Sequence, residues 1–311
     1  VGLLMTSLLT LHHLKSSKHQ KIKIGVSQYI THKSLDATQK GFVEELAKQG
    51  YVDGEEIEID YQNAQGEQRN LKNISNQLSQ ESDLVFAIAT PSAQSIANTS
   101  KTTPVVFSAV TDPLAAKLVK NLDQPGGNVT GTSDQSSDAI ATQVDLIQKV
   151  LPKAKTIGIL YTQSEPNSVV QKEEAKKVLE AKGYRVVEKT IFDSNNVKAA
   201  ADSLMSEVDM VFVPTDNIIS STMETIKQVS LKHQVPVIGG SIEMAQVGGL
   251  STYGTDYTEL GRQSARMAIR ILKGEKAANL AVEAPKNLEL YVNKEMAKKL
   301  GIDLSGINEK K

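Results

Sequence analysis

The sequence contains no cysteine and no tryptophan, and only 4% of its 311 residues are aromatic. Without cysteine the chain can form no disulfide, no thiolate zinc site and no cysteine nucleophile. Its 35 basic and 36 acidic residues leave a net charge of −1, whereas a nucleic-acid-binding protein usually carries a basic excess. The composition therefore removes several catalytic chemistries, gives no reason to expect a nucleic-acid partner, and predicts an aliphatic core.

The first fourteen residues, VGLLMTSLLTLHHL, are mostly apolar and are interrupted by His12 and His13. This stretch is shorter than the about 20 apolar residues that a membrane-spanning helix needs. We interpret residues 1–20 as the remnant of a signal peptide or N-terminal anchor, followed by a polar linker. The interpretation predicts an extracytoplasmic protein, at the cell surface or in the periplasm; a disordered cytoplasmic tail is the alternative.

From residue 21 onward, short β-branched runs alternate with helical patterns. Strands are predicted at 22–27, 56–61, 84–89, 104–109, 156–161, 185–190, 210–215, 235–240 and 288–293. Helices are predicted at 34–49, 68–80, 92–100, 137–150, 166–182, 195–206, 217–233, 294–300 and in the segment 248–274. Several strands are apolar on both faces, which is typical of parallel sheets covered by helices. The alternation predicts an α/β fold.

The order of these elements repeats along the chain. Residues 22–109 and 156–239 each give strand, helix, strand, helix, strand, helix, strand, and LVFAIATPSAQSIA (84–97) matches MVFVPTDNIISSTM (210–223) in pattern. A repeated series indicates a duplicated lobe, and the Gly- and Pro-rich segment 123–131 is the best boundary. We therefore expect two doubly wound parallel-sheet lobes.

Seven loops that follow the predicted strands are rich in hydroxyl, amide and Asp side chains. Open parallel sheets bind ligands outside the carboxyl ends of their strands. The expected ligand-binding residues are Ser27, Gln28, Tyr29, Thr90, Pro91, Ser92, Ser108, Asp112, Thr162, Asp216, Asn217, Ser241, Tyr253 and Asp256. Each loop can also be explained by helix capping alone, but all seven converge on one cleft if the two-lobe fold is right.

Roles within this set follow from side-chain chemistry. Thr90 and Ser92, at a helix start, would donate hydrogen bonds to a ligand carboxylate. Asp216 would accept from an ammonium group, and Asn217 would add an amide hydrogen bond. Tyr29 either stacks on a flat or apolar ligand group or is a rim tyrosine without contact. Asp112 has two possible roles: it either caps a hinge segment or contacts the ligand.

Several segments resemble one protein family. They are GYVDGEEIEIDY (50–61), TDP (111–113), LDQPGGNVTG (122–131), the segment 233–274 and the tail 282–302. By these residues the chain resembles the ABC-type substrate-binding proteins with the type I periplasmic-binding fold. The resemblance implies two lobes joined by a three-crossover hinge that closes on the ligand. It places residues 21–130 plus 254–281 in the N-terminal lobe and 131–253 plus 282–311 in the C-terminal lobe.

The same resemblance implies a function. Members capture a small molecule outside the cytoplasmic membrane and deliver it to permease subunits, and a monomer is expected. Relatives of this branch look like amino-acid binders, including binders of aromatic amino acids such as tryptophan. Many relatives carry a lipid-anchoring cysteine that this chain lacks, so its mode of surface attachment stays open.

Two other classes of function remain to be weighed. An enzyme is disfavoured because His32 is the only histidine near the strand-end loops and no paired carboxylates with a plausible base are present. No cofactor is expected, since GGNVTGTS (126–133) has Thr132 where a phosphate-binding loop needs Lys. No designed metal site is expected either. A ligand-sensing subunit for a membrane receptor is the alternative to transport.

Overall fold

The computed structural model describes residues 20–135, 138–285 and 288–307. The predicted signal or anchor segment, apart from its last residue, lies outside the described residues. Among the helices that are described, none is both long enough and apolar enough to cross a bilayer.

The first sheet is wholly parallel, and its strand order is β2-β1-β3-β4-β5. Its strands are β1 (Ile22–Gln28), β2 (Ile57–Asn63), β3 (Leu84–Ile88), β4 (Val105–Val110) and β5 (Val129–Ser133). The helices between them are α1 (Lys33–Lys48), α2 (Gln68–Glu81) and α3 (Thr90–Thr99). Strands β3 and β4 are buried along their whole length, which explains their continuous apolar runs.

The second sheet has the strand order β11-β10-β9-β8-β6-β7, and only β11 is antiparallel to its neighbour. Its strands are β6 (Thr156–Thr162), β7 (Arg185–Ile191), β8 (Met210–Phe212), β9 (Val237–Ile238), β10 (Ser251–Gly254) and β11 (Glu289–Val292). The remaining helices are α4 (Ala139–Val150), α5 (Pro166–Ala181), α6 (Val197–Met205), α7 (Asn217–Ser221), α8 (Met223–His233), α9 (Ile242–Val247), α10 (Tyr257–Leu272) and α11 (Lys294–Lys299).

The two sheets share the same order, since β7-β6-β8-β9-β10 repeats β2-β1-β3-β4-β5. The predicted pair of α/β lobes is therefore confirmed. The chain passes between them three times: from β5 to α4, from β10 to α10, and from Glu283, which bridges to β5, to β11. These passages form the three-crossover hinge that the resemblance implied.

Three local predictions differ from the structure. The predicted lobe boundary at 130 falls inside β5, which pairs with β4 as far as Ser133; its short sequence, with Gly131 at its centre, does not look like a strand. The predicted helix 217–233 is divided into α7 and α8 at Thr222. Helix α9, only six residues long, was not predicted.

Helix α10 packs against α1 of the first lobe at a close crossing. A Cβ atom added at Gly261 would lie 2.0 Å from the carbonyl oxygen of Thr38, and one added at Gly41 would lie 2.0 Å from that of Thr258. Only glycine permits this backbone approach. Because α10 follows the second lobe in sequence, this crossing fixes the returning chain to the first lobe.

Candidate functional site

A cavity lies between the two lobes, and it is walled by the loops that follow strands of both sheets. Its volume is small, about 10 Å³. Its lining residues are His32, Ser34, Leu35, Ala109, Thr111, Asp134, Asn167, Thr215, Asn217, Ser220, Ser241 and Tyr257. The carboxyl ends of both sheets therefore meet at one site, as the ligand-binding rule for open parallel sheets requires.

A second, larger depression lies elsewhere on the second lobe. It is an open groove with a volume of about 730 Å³, lined in part by Lys149, Leu151, Asp209 and Ile302. Asp209 and Pro236 there precede β8 and β9, so the groove borders the ends at which the strands begin. Ligand sites are enclosed and lie at the opposite ends, so the interlobe cavity is the candidate site.

Side chains of the two lobes contact each other across the cavity. His32 Nε2 lies 3.1 Å from Asn217 Oδ1, and Ser34 Oγ lies 3.1 Å from Ser241 Oγ. The Ser34 hydroxyl also donates to Glu243 Oε2 at 2.9 Å. These contacts join α1 of the first lobe to α7 and α9 of the second, so the structure has its lobes closed.

Glu165, which is fully buried, holds the start of α7 in place. Its carboxylate accepts from Asn217 Nδ2 at 2.6 Å, from Asn217 N at 3.1 Å and from Ile218 N at 3.0 Å. Burial and the neighbouring Asp216 raise the pKa of Glu165 above its usual range. Glu165 therefore positions Asn217 and occupies the backbone donors of this helix end.

Asp216 is also buried, and its carboxylate accepts four hydrogen bonds from its own lobe. Thr162 donates twice, from N at 2.6 Å and from Oγ1 at 2.8 Å, Ser168 Oγ donates at 2.7 Å, and Ile219 N donates at 2.9 Å. Asp216 is thus the N-cap of α7 and ties that helix to β6. It does not line the cavity, and the ammonium role expected for it has no geometric basis here.

Two buried acceptor atoms on the cavity have no hydrogen-bond partner among the described residues, Asp134 Oδ1 and Asn167 Oδ1. The other Asp134 oxygen accepts from the Tyr257 hydroxyl at 2.9 Å. Asn167 Nδ2 donates to the Thr215 carbonyl at 2.8 Å and to Glu165 Oε2 at 3.1 Å. Since both partners of Nδ2 are acceptors, the amide orientation is fixed and its oxygen is left free.

The start of α1 borders the same cavity with Ser34 and Leu35. Its N-cap residue, His32, makes no side-chain hydrogen bond to the helix, so the first backbone N–H groups keep the positive end of the helix dipole. Burial lowers the pKa of His32 to about 4. The histidine is therefore neutral at physiological pH.

Of the residues expected from the sequence, Asn217 and Ser241 line the cavity. Asn217 lies across from His32, and Ser241 is the N-cap of α9, where its Oγ accepts from Met244 N at 3.1 Å. Thr162 is committed to Asp216. Ser241 therefore both lines the cavity and caps its helix, which are the two roles that the sequence left open for each strand-end loop.

The expected residues of the first lobe do not line the cavity. Ser92 Oγ donates to Ser27 Oγ at 2.7 Å, and Gln28 Nε2 donates to Asp36 Oδ1 at 2.8 Å. The Tyr29 hydroxyl donates to the Gly66 carbonyl at 3.1 Å. Thr90, Pro91 and Ser108 are buried too, and none of them lines the cavity. Thr90 and Pro91 are the first two residues of α3.

Three further expected residues make hydrogen bonds that involve backbone atoms. Asp112 Oδ1 accepts from Leu114 N and Ala115 N, and Asp256 Oδ1 caps α10 by accepting from Thr258 N and Glu259 N. Tyr253 lies in β10, and its carbonyl accepts from Gln143 Nε2. None of the three lines the cavity.

Sequence reasoning missed several lining residues. Ser34 and Leu35 lie two and three residues beyond the loop that follows β1, which was predicted to end at His32, and Tyr257 directly follows the loop after β10. Asp134 follows β5, the strand that was not predicted, and His32 was not included among the expected ligand-binding residues. Extending each strand-end loop by one helical turn would have found most of them.

The comparisons with known proteins bear on this geometry. The family model for "ABC transporter substrate binding protein" matches residues 23–308. The chain belongs to this family. Its members are binding proteins and not enzymes, and the resemblance found in the sequence is confirmed.

Individual relatives agree with the family. The "Tyrosine-binding protein" of Clostridioides difficile is 40% identical over 285 residues, which cover 91% of this chain and 82% of the relative. A structure of the ABC domain in complex with L-Trp from Streptococcus pneumonia is 38% identical, with a TM-score of 0.88 over 92% of this chain and 96% of that one. A ligand-free, open structure of a substrate-binding protein with adhesive properties from Clostridium difficile is 40% identical, with a TM-score of 0.68 over 91% and 95%.

Proposed function

We propose that this protein captures a single aromatic amino acid outside the cytoplasmic membrane and presents it to the permease subunits of an ABC importer. The observation that carries the proposal is the enclosed cavity to which both lobes contribute their strand-end loops. In this structure the cavity volume is about 10 Å³, room for about one water molecule, so a bound amino acid requires the lobes or the lining side chains to move apart.

The polar groups of the cavity match the two ends of an amino acid. The start of α1 at Ser34 and Leu35 suits the carboxylate, because free backbone N–H groups and the helix dipole favour an anion there. This location replaces Thr90 and Ser92, which lie outside the cavity. The aromatic class is supported by the two relatives whose names mention L-Trp and tyrosine.

We propose hinge closure as the capture step. The Trp complex and the open ligand-free structure are nearly equally identical to this chain, at 38% and 40%, yet their TM-scores are 0.88 and 0.68. Sequence divergence does not explain this difference, whereas a different lobe arrangement does. It supports two states, of which this structure resembles the one with ligand bound.

We assign residues 20–133 and 257–283 to one lobe and residues 139–254 and 289–307 to the other. Pairing of β5 with β4, and packing of α10 on α1, support the first assignment. Pairing of β11 with β10 supports the second. The protein is expected to act as a monomer; receptor sensing, the alternative, gains no support from the family match.

A thermal-shift screen of the twenty L-amino acids tests the proposed ligand class. We expect tryptophan or tyrosine to raise the melting temperature, with stabilisation of about 2.7 kcal/mol at a ligand concentration one hundred times Kd. Stabilisation by sugars or purines, with no response to any amino acid, would overturn the proposal. Uptake of the radiolabelled ligand by cells with and without the gene then tests the transport role.

A further inference from the structure

We propose that Asp134 binds the ligand's ammonium group and does so from within the hinge, so that the ligand's positive charge itself favours closure. The inference rests on the proposed function and adds a residue and a charge requirement to it. Asp134 lies in the first crossover, directly after β5. It replaces Asp216, whose oxygens are already occupied.

Asp134 connects two of the three crossovers. Its backbone N–H donates to the Val110 carbonyl at 3.1 Å, which anchors it to the end of β4. Its Oδ2 accepts at 2.9 Å from the hydroxyl of Tyr257, the first residue of α10 and the end of the second crossover. A charge bound at this carboxylate therefore acts directly on the segments about which the lobes rotate.

The second oxygen of Asp134 is free to bind a ligand. Asp134 is 8% exposed, and its Oδ1 is buried on the cavity with no partner among the described residues. A buried carboxylate oxygen without a donor costs free energy. An ammonium group would supply the missing donor, and its remaining hydrogens could reach Asn167 Oδ1, the other unpartnered acceptor, which belongs to the second lobe.

The cavity offers Asp134 no protein cation. Its described lining includes no Lys or Arg, and its other titratable residues are His32 and Tyr257. His32 is neutral because burial lowers its pKa to about 4, and burial also keeps Tyr257 protonated by raising its pKa. The nearby Glu243, which faces Tyr257, adds negative charge. A cationic ligand group is thus the natural counterion.

This arrangement predicts a pH dependence of binding. Burial raises the pKa of Asp134 to about 6, and hydrogen bonding with Tyr257 and Thr111 keeps it from rising further. An ammonium group binds the ionised carboxylate. The affinity should therefore be highest at pH values above this pKa and should decrease as the pH falls through it. For a pKa of about 6, the ionised fraction falls on the order of tenfold between pH 7 and pH 5.

Calorimetric titration of the full chain with L-tryptophan and L-tyrosine at pH 5, 6, 7 and 8 tests the inference. We expect the wild type to lose on the order of tenfold affinity from pH 7 to pH 5. Asp134→Asn should lose at least that factor at pH 7 and should have a flat profile. Asp112→Asn, which changes an aspartate on the neighbouring β4 loop, is the matched control and should behave as the wild type.

Indole-3-propionate, which is tryptophan without its amino group, provides a test that does not depend on a variant. The wild type should bind it far more weakly than L-tryptophan, with no loss between pH 7 and pH 5. Equal affinity for both compounds, or an Asp134→Asn protein with unchanged affinity and pH profile, overturns the role of Asp134 alone. A wild type that binds no amino acid overturns the proposed function as well.

Discussion

His32 Nε2 and Asn217 Oδ1, 3.1 Å apart, form a hydrogen bond that joins the two lobes across the cavity. The amide nitrogen of Asn217 donates to Glu165 at 2.6 Å, so its oxygen is the end that faces the histidine. An amide oxygen only accepts, and His32 must therefore carry its proton on Nε2. The chain Glu165–Asn217–His32 links the buried acid of one lobe to the helix start of the other.

Replacing His32 by Ala should weaken ligand binding without unfolding either lobe. The closed state would lose one interlobe hydrogen bond, worth about 1 kcal/mol or roughly fivefold in affinity. Calorimetry measures the affinity, and the melting temperature without ligand should change little. His233→Ala is the control, since His233 pairs with Asp202 within the second lobe; equal affinity in both variants would refute an interlobe role.

Replacing Asp216 by Ala should destabilise the ligand-free protein strongly. Four buried donors would lose their acceptor, and breaking such a charged network costs about 3 kcal/mol or more. Urea denaturation measures the loss. Asp256→Ala, which removes an exposed cap from α10, should cost only about 1 kcal/mol. Similar losses for the two variants would contradict the structural role assigned to Asp216.

Replacing Gly261 by Ala should separate α10 from α1. The new methyl carbon would lie 2.0 Å from the Thr38 carbonyl oxygen, so backbone must move, at a cost of about 1–3 kcal/mol. Chemical denaturation gives the number. Gly127→Ala is the control, because nothing lies within 4 Å of a Cβ there. An unchanged stability for Gly261→Ala would show that the crossing is looser than described.

Replacing Ala89 by Gly should destabilise the protein less than replacing Ala87, which lies two residues earlier, in β3. Its φ of 79° and ψ of 153° belong to a region that glycine occupies almost alone, at a cost of about 1–3 kcal/mol for other residues. Ala89→Gly should therefore be more stable than Ala87→Gly by about 1 kcal/mol or more. Both alanines are buried, so the lost methyl contact is matched. Denaturation midpoints that fall equally would argue against strain at Ala89.

The location of the cleft was predictable because it follows from strand order, but its contact residues were not. Each loop after a strand offers several polar side chains, and the local sequence does not tell whether a given one caps its helix or faces the cavity. Asp216 shows this directly: its position is right for a ligand contact, yet Thr162 and Ser168 occupy it. Asp134 could be recognised as a strand-end residue only once the structure showed that β5 ends at Ser133.

By itself, the sequence determined the alternation of strands and helices, the duplication of the lobe and the family, since these depend on local periodicity and on contiguous segments. Only the tertiary structure decided which acid has a free oxygen and which helix start keeps its N–H groups unoccupied. Those properties depend on contacts between residues far apart in the chain, such as Asp134 with Tyr257. Two side chains of the same type differ in pKa and in free hydrogen-bonding capacity when their neighbours differ in donors, acceptors and exposure to water.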